Sequence, residues 1–157
     1  MPSSATGTAD GEVAPGAARS GSVRGWWPTD PHLRGDLEAV VLVAGLVALV
    51  VPDRADWASH VLAGGGVVMA GVAVAGHRLG RAVVPLGALV VLAVATVLDL
   101  TVTGPFDPSD VAFTLAGALL VTAPPPGSPV DRRTRLVWGA VLIALALANR
   151  YGVPRER

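Results

Sequence analysis

Apolar and polar positions in this chain fall in long blocks rather than in alternation. Five apolar runs, 37–51, 58–76, 82–98, 111–123 and 136–148, are separated by short segments that carry most of the charge. The runs lack the period-two pattern of a membrane barrel strand, so helices are the predicted element. At about 1.5 Å per residue the second and third runs approach the roughly 30 Å of a bilayer core. The first, fourth and fifth reach it only if flanking polar residues join the helix. Backbone groups in lipid must be bonded within their own segment. The predicted fold is therefore all-α, a polytopic transmembrane helix bundle with four or five spans.

Residues 1–25 are rich in Ser, Ala, Gly, Thr and Pro and show no apolar period, so they cannot bury enough surface to offset their ordering entropy. The expected organisation is a disordered tail over 1–32, a bundle over 33–150 and a short C-terminal tail over 151–157. No short apolar core with a cleavage site precedes the first run, so the start is not read as a signal peptide. Arg19, Arg24 and Arg34 precede the first run. Arg78 and Arg81 separate the second from the third, and Arg132, Arg133 and Arg135 separate the fourth from the fifth. The connection between the third and fourth has no basic residue. The positive-inside rule then places the N-terminus and the second and fourth connections on the cytoplasmic side of the membrane. Connections 53–57 and 101–110 face outward. Five full spans would carry Arg150, Arg155 and Arg157 outward against that rule. Either this tail crosses despite its charge or the fifth run stops short. Trp26, Trp27, Trp57, Phe106 and Trp138 suit interfacial aromatic belts. Gly64, Gly65, Gly66, Ala70, Gly71, Gly87 and Gly117 permit close helix contact, and the PPPGSP segment at 124–129 ends the fourth span.

Composition agrees: 52% of the 157 residues are hydrophobic and only 15% charged, with mean hydropathy +0.56, more apolar than an ordinary water-soluble domain. All twelve basic residues are arginine, balanced by twelve acids, so nucleic acid is not an expected partner. The absence of cysteine excludes disulfides, thiolate metal sites and thiol catalysis. Gly-x-Ser-x-Gly, His-Glu-x-x-His and phosphate-loop signatures are missing. The GGG run in the second span is read as packing.

Candidate chemistry gathers where the third run meets the fourth, over 98–117. Asp99 ends one run, and Asp107 and Asp110 open the next. Asp53, Asp56 and His60 stand at i, i+3 and i+7, as do Asp107, Asp110 and Thr114, so each trio shares one helix face. If the three helices touch, Asp56, His60, Asp99, Asp110 and Thr114 form an outward polar pocket. Such a set could bind a ligand, hold a hard divalent cation such as Mg²⁺, Ca²⁺ or Mn²⁺, or use His60 as a base or proton relay. Helix capping is the plainer account of Asp53 and of Asp107, which precedes a proline at the first helical position. It does not explain Asp99, at the C-terminal end of its run, or His60, a turn deeper than any cap. Arg54 pairs with a nearby acid, His77 is interfacial and His32 exposed.

On these residues the chain resembles the VanZ-like family of small bacterial membrane proteins. In that family an Asp shortly precedes a His at the head of one span, an acid ends a later span, and Asp-x-x-x-Asn-x-x-Gly opens the next. Asp56 with His60, then Asp99, then Asp110, Thr114 and Gly117 are similar to these elements in turn, over residues 53–123. Thr114 replaces the usual Asn, the Gln after the acid is missing near Val102, and an FDP run replaces the Arg of the outward loop. A related group with Gly four residues after His matches His60 and Gly64 comparably. The resemblance implies an envelope protein binding a lipid-linked or glycopeptide-type ligand, and establishes no reaction. The competing expectations are a small proton-coupled transporter, with acids lining a pathway, and a structural membrane scaffold without a reaction.

Overall fold

Asp30 opens the first element by accepting the backbone N–H of His32 at 2.9 Å, with Pro31 at the first helical position. The computed structural model describes residues 28–103, 106–125 and 131–151. The expected tail over 1–25, Trp26, Trp27, Arg155 and Arg157 lie outside the described residues. Among the described residues there are five α-helices: α1 Pro31–Val50, α2 Asp56–Leu79, α3 Val83–Leu98, α4 Pro108–Leu119 and α5 Arg132–Tyr151. A 3-10 turn, Pro52–Arg54, joins α1 to α2, a second, Gly80–Ala82, joins α2 to α3, and a π-helical turn, Asp99–Thr103, follows α3. All regular structure among the described residues is helical, as the block pattern predicts. The ends differ in three places. The first helix starts at Pro31, inside the segment assigned to the tail, because Asp30 caps it. The fourth ends at Leu119 rather than 123, its last turn tightened by i→i−3 bonds from Leu120 and Val121 to the Gly117 and Ala118 carbonyls. Tyr151, assigned to the C-terminal tail, still belongs to α5.

The 46-residue stretch Asp56–Thr101 is long and apolar enough to cross a membrane and contains an 18-residue window of mean hydropathy 2.4. A straight helix of that size would be about 69 Å long, more than twice a bilayer core. It is folded in two. Gly80 has φ +52°, a conformation glycine adopts without steric cost, and α3 returns along α2 so that a Cβ at Gly87 would lie 3.4 Å from Val68.

The centre of the bundle is α2, and the three consecutive glycines explain how. Successive helical positions rotate by about 100°, so each faces a different neighbour. A Cβ on Gly64 would stand 1.9 Å from the Thr114 carbonyl oxygen of α4, one on Gly65 2.7 Å from Val40 of α1, and one on Gly66 2.8 Å from the Gly139 carbonyl oxygen of α5. Gly117 and Gly139 return the arrangement, at 2.0 Å from the Val61 carbonyl and 2.8 Å from the Gly66 carbonyl. Glycine is required at 64, 66, 117 and 139 because backbone meets backbone, and at 65 a Cβ would press on the Val40 side chain. Leu37, Val40, Val61, Val68, Met69, Val72 and Leu142 fill the remaining core.

One end of the bundle is held by a buried ion pair. Asp36 of α1 is 3% exposed and Arg135 of α5 is 0% exposed. Asp36 accepts the backbone N–H of Thr122 at 3.1 Å and its hydroxyl at 2.7 Å on one oxygen, and Arg135 Nη1 at 3.3 Å on the other. Arg135 Nη2 also lies 3.7 Å from Asp30. The sequence reading counts Arg135 only as a loop charge; the helix actually begins before it and turns it inward. The outer surface is the reverse of this interior: Leu42, Leu46, Leu49, Leu89, Val94 and Leu145 are all exposed.

Candidate functional site

At the opposite end, the α1–α2 and α3–α4 connections meet through Arg54. Its Nη2 donates to Asp107 Oδ2 at 2.6 Å, and its guanidinium lies 3.6 Å from both Asp56 and Asp110. The same group sits 4.4 Å over the ring of Trp57, which stacks on Phe113 with centroids 4.7 Å apart, so cation and aromatic rings clamp α2 to α4. The Arg54 hydrogen bond, followed by the Ser109 backbone N–H, holds the Asp107 carboxyl below the ordinary carboxylate range. Asp107 raises the pKa of Arg54 in return.

The capping expectation holds for Asp107, which accepts the backbone N–H of Ser109 at 2.8 Å as the N-cap of α4. Asp53 is different. It lies inside the 3-10 turn, where Val51 is the N-cap, and α2 starts from Ala55 with no side-chain cap bond. Asp99 is buried, and its Oδ2 accepts the backbone N–H of Asp107 at 2.7 Å. An acid at the end of one helix thereby fixes the start of the next, which offsets its unfavourable position on the macrodipole of α3.

His60, Asp110 and Thr114 meet one turn further in. Thr114 donates its only hydroxyl proton to the Asp110 carbonyl at 2.7 Å. Toward His60 Nδ1, 3.0 Å away, it can therefore only accept, which places a proton on Nδ1. Nε2 faces two groups of opposite charge, Arg150 Nη1 at 3.0 Å and Asp110 Oδ2 at 3.3 Å. A neutral ring accepts from Arg150; a protonated ring donates to Asp110. The imidazole thus has two alternative partners at one nitrogen, the arrangement expected of an acid–base or ligand-responsive group.

Sequence reasoning missed Arg150, treating it only as a charge on the wrong side. Asn149 positions it by donating to the Ala55 carbonyl at 2.9 Å and to Ser59 Oγ at 2.8 Å, which ties the last turn of α5 to the first turns of α2. The available signal was parity: five alternating helices bring the end of the fifth to the start of the second. In the fold, α5 reaches the His60 end of the bundle.

A cavity of about 450 Å³ opens below these groups, between α3 and α5, which have little contact with each other, with α2 as its floor. His60, Asp99, Asp110, Thr114 and Arg150 form its polar head, while Val67, Val90, Val94, Leu98 and Leu147 are among its walls. Of the residues singled out from the sequence, His60, Asp99, Asp110 and Thr114 are thus brought together. Asp56 is turned to Arg54 and is not part of the lining. Among the described residues no three His, Asp or Glu side chains gather as a metal site. Arg54 lies within 3.6 Å of Asp56, Asp107 and Asp110, so the arrangement does not fit the divalent cation considered above.

No known family, no characterised protein and no solved structure matches the chain significantly.

Proposed function

We propose that the chain is a multi-pass bacterial inner-membrane protein of VanZ-like layout whose His60 end faces outward and binds a lipid-linked ligand of the cell envelope. The carrying observation is a cavity with a polar head and apolar walls, opening sideways through a surface of exposed Leu and Val. A water-soluble bundle turns such residues inward, and exposing large contiguous apolar surface marks a lipid or partner interface. The α1, α2, α3 and α5 helices have 20, 24, 16 and 20 residues, or about 24 to 36 Å. With tilt and flanking residues these lengths suit a bilayer. The 12 residues of α4 give only about 18 Å, and this short helix packs against α2 and α3 while leaving Ala112, Ala116 and Leu119 exposed. Its shortness supports a helix that crosses only part of a bilayer core.

The geometry favours a lipid-linked ligand over a glycopeptide, because the cavity walls are predominantly apolar. It also favours one-sided binding over a through-going transport path. The charged groups collect at the two ends, with Val61, Val68, Met69 and Leu142 buried between them.

Because the chain has no cysteine, single-cysteine labelling tests the orientation directly. Asp53→Cys and Arg78→Cys replace exposed residues at opposite ends. In intact cells a membrane-impermeant maleimide should label the first and spare the second until the membrane is broken. Equal labelling of both in intact cells, or recovery of the chain in the soluble fraction, would refute the reading.

A further inference from the structure

The unused hydrogen-bonding capacity at the head of the cavity identifies the class of ligand. Arg150 carries five N–H donors in a planar fork. One, on Nη1, is used by His60 Nε2, and among the described residues Arg150 makes no ion pair with a carboxylate. The two acids beside it are directed elsewhere. Asp99 Oδ2 accepts from the Asp107 backbone, and Asp110 lies between Arg54 at 3.6 Å and His60 at 3.3 Å. The head of the cavity thus offers guanidinium donors that no carboxylate among the described residues takes up, in a site lined mainly by hydrocarbon that also carries Asp99 and Asp110. A guanidinium there is strongly attracted to an oxyanion, which it can bind with two parallel hydrogen bonds.

The depth of the cavity supplies the rest. Val67 lies seven residues beyond His60 on α2 and Val90 nine before Asp99 on α3, so its walls extend roughly 10 to 14 Å from the polar head. That is close to half of a bilayer core of about 30 Å. The ligand's apolar part stays within one leaflet.

We infer that the cavity takes an anionic amphiphile, an oxyanion head of the phosphate or carboxylate type on a hydrocarbon chain, held head-first by Arg150 and entering sideways between α3 and α5. This inference rests on the lipid-binding reading above and adds the charge of the head.

The test uses the full chain in phosphatidylcholine nanodiscs, titrated calorimetrically against empty discs. Four probes share one chain: dodecyl phosphate, dodecanoate, dodecyltrimethylammonium and dodecyl glucoside. The two anions should bind at least tenfold tighter than the others. Arg150→Gln should weaken the anions by roughly tenfold to a hundredfold and leave the glucoside unchanged. Inorganic phosphate alone should bind far more weakly than dodecyl phosphate; equal binding would show that the chain contributes nothing and overturn the amphiphile. An ammonium head that binds as well as the anions, or anion affinity indifferent to Arg150→Gln, overturns the assignment of charge. Two cavity-filling variants on different helices, Ala63→Phe and Val94→Trp, separate that failure from failure of the site. If either folded variant weakens all four probes, the cavity is the binding site whatever its preferred head. If both leave every probe unaffected, the lipid-binding reading falls as well.

Discussion

Replacing Gly64 with alanine tests the way the site is built. The added Cβ would lie 1.9 Å from the Thr114 carbonyl oxygen and 2.9 Å from its carbon, while carbon and carbonyl oxygen approach to about 3.3 Å in close helix contacts. The atom opposed is backbone, which cannot rotate away, so α4 must move by roughly 1.4 Å, the difference between those distances. Overpacking of this kind costs about 3 kcal/mol at the upper end of its usual range. Alanine's better helix propensity returns about 1 kcal/mol, leaving a net loss of about 2 kcal/mol. Gly45→Ala is the matched control: it lies within α1, meets nothing within 4 Å, and should stabilise by up to about 1 kcal/mol. Thermal unfolding of the purified protein in a mild detergent should put Gly64→Ala about 4 to 8 °C below the wild type, with Gly45→Ala at or above it. The shift of α4 also carries Thr114 away from His60, so ligand affinity should fall with stability. Equal melting temperatures for the two variants would refute the backbone contact and with it the placement of Thr114.

Two further outcomes follow from the charged groups at the two ends. Arg135→Met leaves Asp36 buried without its cation and should cost about 3 to 5 kcal/mol, whereas adding Asp36→Leu should restore most of that loss; additive losses in a double-mutant cycle would refute the pairing. Asp107→Asn keeps a good N-cap residue but removes the charge facing Arg54. Because folding lowers the carboxyl pKa of Asp107, its contribution is complete above the unfolded value of about 3.9 and is lost as pH falls through the lower folded value. The melting temperature of the wild type should therefore drop more steeply than that of Asp107→Asn below about pH 4, and parallel curves would exclude the Arg54 contact as the cause.

Much of the helical layout was legible because apolar blocks and helix caps are local signals. Asp107 with Pro108 marks the start of α4 without knowledge of the fold, and the glycine run announces close packing. The direction of each glycine is not local, since it depends on which helices surround α2. The site was legible in part. His60, Asp99, Asp110 and Thr114 stand at helix ends that the order of the runs brings to one level. Arg150 escaped notice because an arginine after an apolar run reads as a topology signal until its neighbours are known. Asp36 and Arg135 escaped for a related reason: they are 99 positions apart, and an ionisable residue near a helix start is ordinarily solvated. Asp53 was misread because a two-turn connection shifted the start of α2 by one short 3-10 turn.

The buried pair of Asp36 and Arg135 also sets an order of events during synthesis. The carboxylate emerges from the ribosome with the first helix, while its guanidinium follows 99 residues later, an interval of about 5 to 20 s at common elongation rates. Until then the first helix carries a buried-face acid without the guanidinium that pairs with it in the finished fold. Among the described residues α5 supplies that cation, so a nascent chain truncated before Arg135 leaves Asp36 unneutralised, at the cost of an unpaired buried charge.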